Sequence, residues 1–263
     1  MSKIALLIGI NYQGTESELS GCINDINNTK EILKTIYKYE EKNIIVMTDD
    51  TEIKPTSNNI TIQLYNLAFR TAKENIKEVW ISYSGHGSYV KDTNGDEDDA
   101  QDECLVPLDY KKNGLITDDV LNHILSFIKP KIPVIVIVDA CHSETILDLP
   151  YRYISGNKNI IENKNNKIKG NVIMISGCRD NETSADAYDI NNSKTYSGAM
   201  TSAFLETLKK FNYTITGWTL LKEMRLFLQE REFIQIPQLC STSKIDNTTI
   251  FSSIVKPKSF VTN

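Results

Sequence analysis

Histidine is scarce in this chain: His86, His123 and His142 are the full complement. None has ligand-like spacing to two of the five cysteines, Cys22, Cys104, Cys141, Cys178 and Cys240, and there is no Cys-x-x-Cys pair, so no zinc signature is present. An odd number of scattered cysteines is what a reducing compartment permits. No apolar run approaches the ~20 residues of a membrane helix. The run Ile4-Ala5-Leu6-Leu7-Ile8-Gly9 is short and no small-residue cleavage site follows it, so neither signal peptide nor anchor is expected and the expected location is cytoplasmic. A basic excess is lacking as well: 29 Lys and Arg face 34 Asp and Glu, for a net charge of −5, with no dense Lys/Arg stripe. Nucleic acid is therefore a poor partner, and cations or basic peptides are better ones. Ile8-Gly9-Ile10 hints at a nucleotide-binding domain, but neither Gly-x-Gly-x-x-Gly nor a P-loop follows the first strand.

The composition that remains is ordinary: 263 residues, 40% hydrophobic and 24% charged, enough to bury a substantial core and too apolar for disorder of the whole chain. Continuous apolar runs predict strands at Ile4–Gly9, Ile44–Met47, Val79–Tyr83, Val134–Val138 and Val172–Ile175. Helical periodicity falls between them, over Asp25–Tyr39, Asn58–Lys73 and Asp118–Ile128, then Gly198–Lys210 and Thr219–Gln229, with a last strand at Gln238–Ser241. The alternation predicts an α/β fold, a mostly parallel sheet between helical layers. Two stretches interrupt it. Residues 91–103 hold seven carboxylates and almost nothing to bury, and residues 155–170 are Lys/Asn-rich, a surface loop or linker. The linker divides one domain, 1–263, into a larger block of about 1–154 and a smaller one, 171–263, too poor in strands to stand alone and expected to extend the first sheet.

In open α/β sheets ligands bind beyond the carboxyl ends of the strands. One strand ends in Ser84-Gly85-His86-Gly87 and another in Asp139-Ala140-Cys141-His142-Ser143. If these strands are neighbours, His86 and Cys141 converge on one crevice. A thiolate beside an imidazole is an acyl-transfer nucleophile, because the imidazole takes the thiol proton and returns it to a leaving amine. The N–H groups of Gly87 and Cys141 are candidates for the oxyanion. A lone cysteine at a strand end is more often a small buried hydrophobe; the Gly-His-Gly context and the matching position favour catalysis here. His142 should point away from its neighbour's crevice, and His123, on a helix, reads as a surface or core residue.

Tyr83-Ser84-Gly85-His86-Gly87, the acidic stretch ending in Asp102-Glu103-Cys104-Leu105-Val106-Pro107-Leu108-Asp109, Val138-Asp139-Ala140-Cys141-His142-Ser143, and Ser176-Gly177-Cys178-Arg179-Asp180 with Thr183-Ser184-Ala185-Asp186-Ala187 together resemble the metacaspases, in the caspase-like clan of cysteine peptidases. The block order is similar to type I, without its Pro-rich N-terminal prodomain. The resemblance implies a caspase-like three-layer α/β/α sandwich and a His86–Cys141 dyad, with Gly87 and Cys141 as oxyanion amides. It further implies an acidic pocket for Arg or Lys before the scissile bond, lined by Cys22, Asp25, Ser84 and Asp139. Two carboxylates at a pocket floor would favour a guanidinium or ammonium and repel aspartate. Asp25 alone would otherwise read as a helix N-terminal acid. Calcium is implied too, on Asp102, Asp118, Asp119 and Asp148, hard oxygen donors that suit Ca²⁺. An EF-hand reading of Asp92, Asn94, Asp96 and Glu103 fails because Glu97 stands where Gly is required.

Two residues depart from the family pattern. Glu144 replaces the usual Gly after Cys141-His142-Ser143, where it could narrow the crevice or add charge, and Glu182 stands where Gln is common. An enzyme selecting Lys or Arg could also cut its own chain at Lys158, Lys164, Lys167 or Lys169 in the linker. The expectation is a monomeric, calcium-activated endopeptidase acting on protein or peptide substrates; the rival is a catalytically silent regulatory or binding module on the same fold.

Overall fold

The computed structural model describes residues 2–91, 101–140, 146–155, 159–162, 168, 170–177, 186–188, 196–245 and 251. The first half supplies β1 (Ser2–Gly9), α1 (Cys22–Thr35), β2 (Ile44–Thr48), α2 (Ser57–Lys73), β3 (Ile76–Ser84), β4 (Gly87–Lys91), β5 (Gln101–Leu105), α3 (Tyr110–Asn113), β6 (Ile116–Thr117), α4 (Asp118–Leu125) and β7 (Pro133–Asp139). The second supplies β8 (Tyr151–Ser155), β9 (Asn159–Glu162), β10 (Asn171–Ser176), β11 (Asp186–Tyr188), β12 (Tyr196–Gly198), α5 (Ala199–Lys210), α6 (Gly217–Gln229) and β13 (Gln238–Ser241).

Eight strands form one sheet in the order β2-β1-β3-β7-β10-β13-β8-β9. The five apolar runs are its parallel part, and β13, β8 and β9 continue it antiparallel. Each central strand is buried on both faces, so its residues alternate between two cores. Val134, Val136 and Val138 of β7 join one core with Leu64 and Leu67 of α2 and Ile124 of α4. Ile135 and Ile137 join the other with Ile26 of α1, Phe204 of α5 and Leu221 of α6. The result is the three-layer α/β/α sandwich.

The chain runs outward from β1 in both directions, to β2 through α1 and from β2 back across to β3 through α2, with α1 and α2 on opposite faces. That reversal opens a crevice at the carboxyl ends of β1 and β3. The helix over residues 25–39 of the sequence reading begins earlier and ends earlier, because Gly21 caps α1 without a side-chain signal and Lys38, with φ +59°, has left the helical region. Residues 155–170, read as linker, contribute β9, which pairs with β8. The acidic stretch is flanked by the β4–β5 hairpin, which with β6 makes a second, three-stranded sheet.

Candidate active site

β3 and β7 are parallel neighbours, with Ser84 opposite Asp139 in register and the Gly85 N–H donating to the Asp139 carbonyl at 3.2 Å. His86 is two residues past the end of β3, and position 141 is two residues past the end of β7 in the sequence. Cys141, His142 and Glu144 lie outside the described residues, as do Glu182, the motif at 178–185, the EF-hand positions Asp92, Asn94 and Asp96, and the linker lysines Lys158, Lys164, Lys167 and Lys169.

His86 is held through its backbone. Its N–H donates to Tyr12 Oη at 3.0 Å, and its carbonyl accepts from Tyr83 Oη at 2.7 Å and the Val106 N–H at 3.2 Å. Its imidazole Nε2 lies 2.8 Å from the carbonyl oxygen of Ser17, in the β1–α1 loop. A carbonyl can only accept, so Nε2 carries a proton, and in the neutral ring the lone pair lies on Nδ1. Gly87 opens β4 opposite Leu105; with Val106 N–H bonded to the His86 carbonyl, Gly87–Leu105 is a non-hydrogen-bonded pair of the ladder. The Gly87 N–H is therefore not spent on β5.

The four expected pocket residues meet beside this loop. Cys22 and Asp25 come from the first turn of α1, Ser84 ends β3, Asp139 ends β7, and all four are buried. Asp25 Oδ2 accepts from Ser84 Oγ at 2.6 Å, and its Oδ1 from Ser197 Oγ at 2.6 Å and the Gly198 N–H at 2.9 Å. Asp139 Oδ2 accepts the Thr201 N–H, in the first turn of α5, at 2.8 Å. Burial pushes the Asp25 carboxyl up to about 8, reinforced by the negative charge of Asp139 and opposed by the bonds from Ser197, Ser84 and Gly198. Asp25 is therefore held toward its protonated form at neutral pH, and an approaching cation would favour its ionisation.

Sequence reading missed Tyr12, Ser17, Ser197, Gly198 and Thr201. Ser17, Gly198 and Thr201 act through backbone groups, which every residue owns, so side-chain identity carries no signal. Ser197-Gly198 directly before a helix was the one available cue.

The calcium set is divided. Asp102, on β5, and Asp118, at the start of α4, are buried, while Asp119 and Asp148 are half-buried. Asp118 accepts the Glu103 N–H at 2.8 Å and the Asp119 N–H at 2.6 Å. Burial pushes its carboxyl up to about 7 against those two bonds, with the Asp102 charge adding to the rise. Asp148 has φ +45°, and Asn122 Nδ2 of α4 donates to the neighbouring Leu147 carbonyl at 3.2 Å, tying the segment to α4. The donor chemistry fits a hard cation, but among the described residues no three His, Cys, Asp or Glu side chains are gathered closely enough to hold one. Glu103 is buried within β5 rather than closing a helix-flanked loop, against the EF-hand reading. Cys104 is fully buried, and its thiol is pushed up to about 12 by burial and the charges of Asp118, Asp102 and Glu103, so it is an inert thiol. His123 is exposed and meets Phe127 edge-on at 5.0 Å, a surface residue.

A histidine just past β3 beside two buried acids, with a cysteine following β7 in the sequence, is the pattern of a cysteine peptidase, and comparison with known proteins agrees. Residues 3–150 match the metacaspase, peptidase C14 domain. The chain is 33% identical to metacaspase-3 of Trypanosoma brucei brucei over 267 residues, covering 94% of this chain and 73% of that one. It is 35% identical to metacaspase-2 of Arabidopsis thaliana over 243 residues, covering 87% and 57%. Among solved structures, caspase-1 from Spodoptera frugiperda superposes with a TM-score of 0.57 at 13% identity, over 94% of this chain and 88% of that one, which establishes the caspase-like fold. The chain belongs to the metacaspase family and is a cysteine endopeptidase.

Proposed function

We propose that this peptidase cleaves after Arg or Lys, with Cys141 as nucleophile and His86 as its base, and that calcium activates it. Cys141 Sγ passes its proton to His86 Nδ1 and bonds to the scissile carbonyl carbon, and the Gly87 and Cys141 amides receive the oxyanion. The C–N bond then breaks as the imidazolium returns the proton to the departing amine, and water hydrolyses the thioester. The observation that carries the specificity is the Asp25–Asp139 pair: a guanidinium entering there favours ionisation of both buried acids and pairs with them, whereas an aspartate would add a third acid.

Asp102, Asp118, Asp119 and Asp148 would hold Ca²⁺ only once drawn closer together, since they are not gathered into a metal-binding group as they stand. Bound there, the ion supplies charge neutralisation between segments whose carboxylates repel. β5 bears Asp102 and leads into Val106, whose N–H bonds the His86 carbonyl, a short covalent route from those carboxylates to the base. Cleavage of the chain's own linker at Lys158, Lys164, Lys167 or Lys169 belongs to the same reading. So does a monomeric, cytoplasmic enzyme. Pairing of β13 with β8, which keeps β13 from serving as an edge for a second copy, supports the first. Cys22, Cys104 and Cys240, none of them in a disulfide, suit the second. No helix among the described residues is long and apolar enough to cross a membrane.

An Arg-based electrophile separates this reading from a silent module. Covalent mass added to wild type and absent from Cys141→Ala is expected; an unlabelled wild type under conditions where trypsin-like pockets react would contradict it.

A further inference from the structure

The loop carrying His86 is fixed by two tyrosines that take no part in the chemistry above. Tyr12 lies beyond β1 and Tyr83 within β3, and both are buried. Each phenol has one proton to give. Tyr12 Oη donates to the Val106 carbonyl at 2.6 Å and accepts the His86 N–H at 3.0 Å; Tyr83 Oη donates to the His86 carbonyl at 2.7 Å and accepts the Val106 N–H at 3.2 Å. The two hydroxyl oxygens stand 3.1 Å apart. Both backbone polar groups of His86 are thus gripped by a pair of side chains that also pin Val106. The Tyr12 ring lies 4.8 Å from the imidazole, centroid to centroid, so it restricts the side chain as well.

Three further features show how closely the cluster is fitted. A Cβ on Gly85 would fall 2.8 Å from Tyr83 Oη and 3.0 Å from Tyr12 Oη, so only glycine lets the chain pass over both hydroxyls. Tyr12 has φ +52°, a backbone state that a bulky residue holds only under constraint. The constraint is visible: Asp49, just past β2, accepts the Asn11 N–H at 2.7 Å and the Gln13 N–H at 3.0 Å, clamping the turn on both sides of Tyr12. The same loop carries the Ser17 carbonyl that selects the Nε2–H tautomer.

We infer that Tyr12 and Tyr83 are positioning residues for His86: their hydroxyls hold its backbone so that Nε2 reaches Ser17 and Nδ1 is left to act as the base, with Asp49 locking Tyr12 in its left-handed turn. The inference rests on the reading of His86 as the base. It assigns a catalytic consequence to three side chains that never touch substrate.

Tyr12→Phe and Tyr83→Phe keep the rings and remove only the hydroxyls. Hydrolysis of an Arg-peptide by each variant should show kcat reduced about 10- to 100-fold, since small misplacements of a reacting group have effects of that size, with KM within about twofold because the acidic pocket is intact. In protein labelled with ¹⁵N-histidine, His86 should give a single Nε2–H tautomer in wild type and a mixture in either variant, its resonances identified by their loss in His86→Ala. Tyr39→Phe, which deletes a buried hydroxyl bonded to Glu78 at 2.6 Å far from the site, should lower the melting temperature with kcat unchanged. Wild-type kcat and tautomer in both Tyr12→Phe and Tyr83→Phe would overturn the inference, and so would an equal kcat loss in Tyr39→Phe. Full turnover in His86→Ala would instead remove the base assignment beneath it.

Discussion

Asp25 is a carboxyl group sealed from water beside a second acid, and its protonation records that conflict. The unfolded chain gives up this proton near the ordinary value of 3.8, whereas the folded chain keeps it to about 8. A folded value raised above the unfolded one gives stability that is whole below the lower value and is lost as pH rises through the higher. Thermal unfolding of wild type and Asp25→Asn across about pH 5 to 8.5 tests the sign: wild type should lose stability relative to the variant as pH rises, and a constant difference would contradict it. Legibility at this scale followed chemistry. His86 stood out in the sequence by its Gly-His-Gly context, and Asp25, Ser84 and Asp139 through the resemblance to metacaspases, because their side chains carry the signal; Ser17, Gly198 and Thr201 bond through main-chain atoms and left none. Cys141, the proposed nucleophile, rests on its motif, the register of β3 on β7 and the family.

Among the elements, α5 does more for the pocket than its sequence announces. It begins at Ala199 with no side-chain cap, and its first-turn amides are partly satisfied by Asp139, an acid placed at the positive end of a helix. Gly198, immediately before it, packs between the two carboxylates, so that an added Cβ would fall 2.7 Å from Asp25 Oδ2 and closer still to Asp139. Gly198→Ala should therefore lose Arg-peptide hydrolysis through a raised KM and destabilise the fold by about 1–3 kcal/mol, the usual cost of overpacking. Unchanged KM in a variant that unfolds at the wild-type temperature would refute that packing. The long apolar runs identified every parallel strand, and even β13 was read to its ends. Short elements escaped: β4 and β5 flank a run of carboxylates that reads as loop, and β9 lies in a Lys/Asn-rich stretch, both held by neighbouring strands rather than by their own pattern.

For the molecule as a whole, one sheet organises everything. Strand order puts β3 beside β7, α1 reaches over to supply Asp25, and the second block returns through β12 and α5 to close the pocket that the first block opens. Two blocks that share one sheet and one pocket can survive a cut in the segment between them. Mass spectrometry after incubation with calcium or with chelator should find wild type cleaved after a lysine between 158 and 169 in calcium alone, and Cys141→Ala intact in both. Identical fragments from the two proteins would rule out self-cleavage. Fragments from wild type in chelator would remove the calcium requirement.

The most direct test pairs two fluorogenic peptides identical but for Arg or Asp before the scissile bond. Wild type should hydrolyse the Arg peptide and leave the Asp peptide untouched, with Cys141→Ala silent on both. Turnover of the Asp peptide at a comparable rate, or Arg-peptide turnover that survives loss of the thiol, would contradict a sulfur nucleophile working beside a carboxylate-lined pocket.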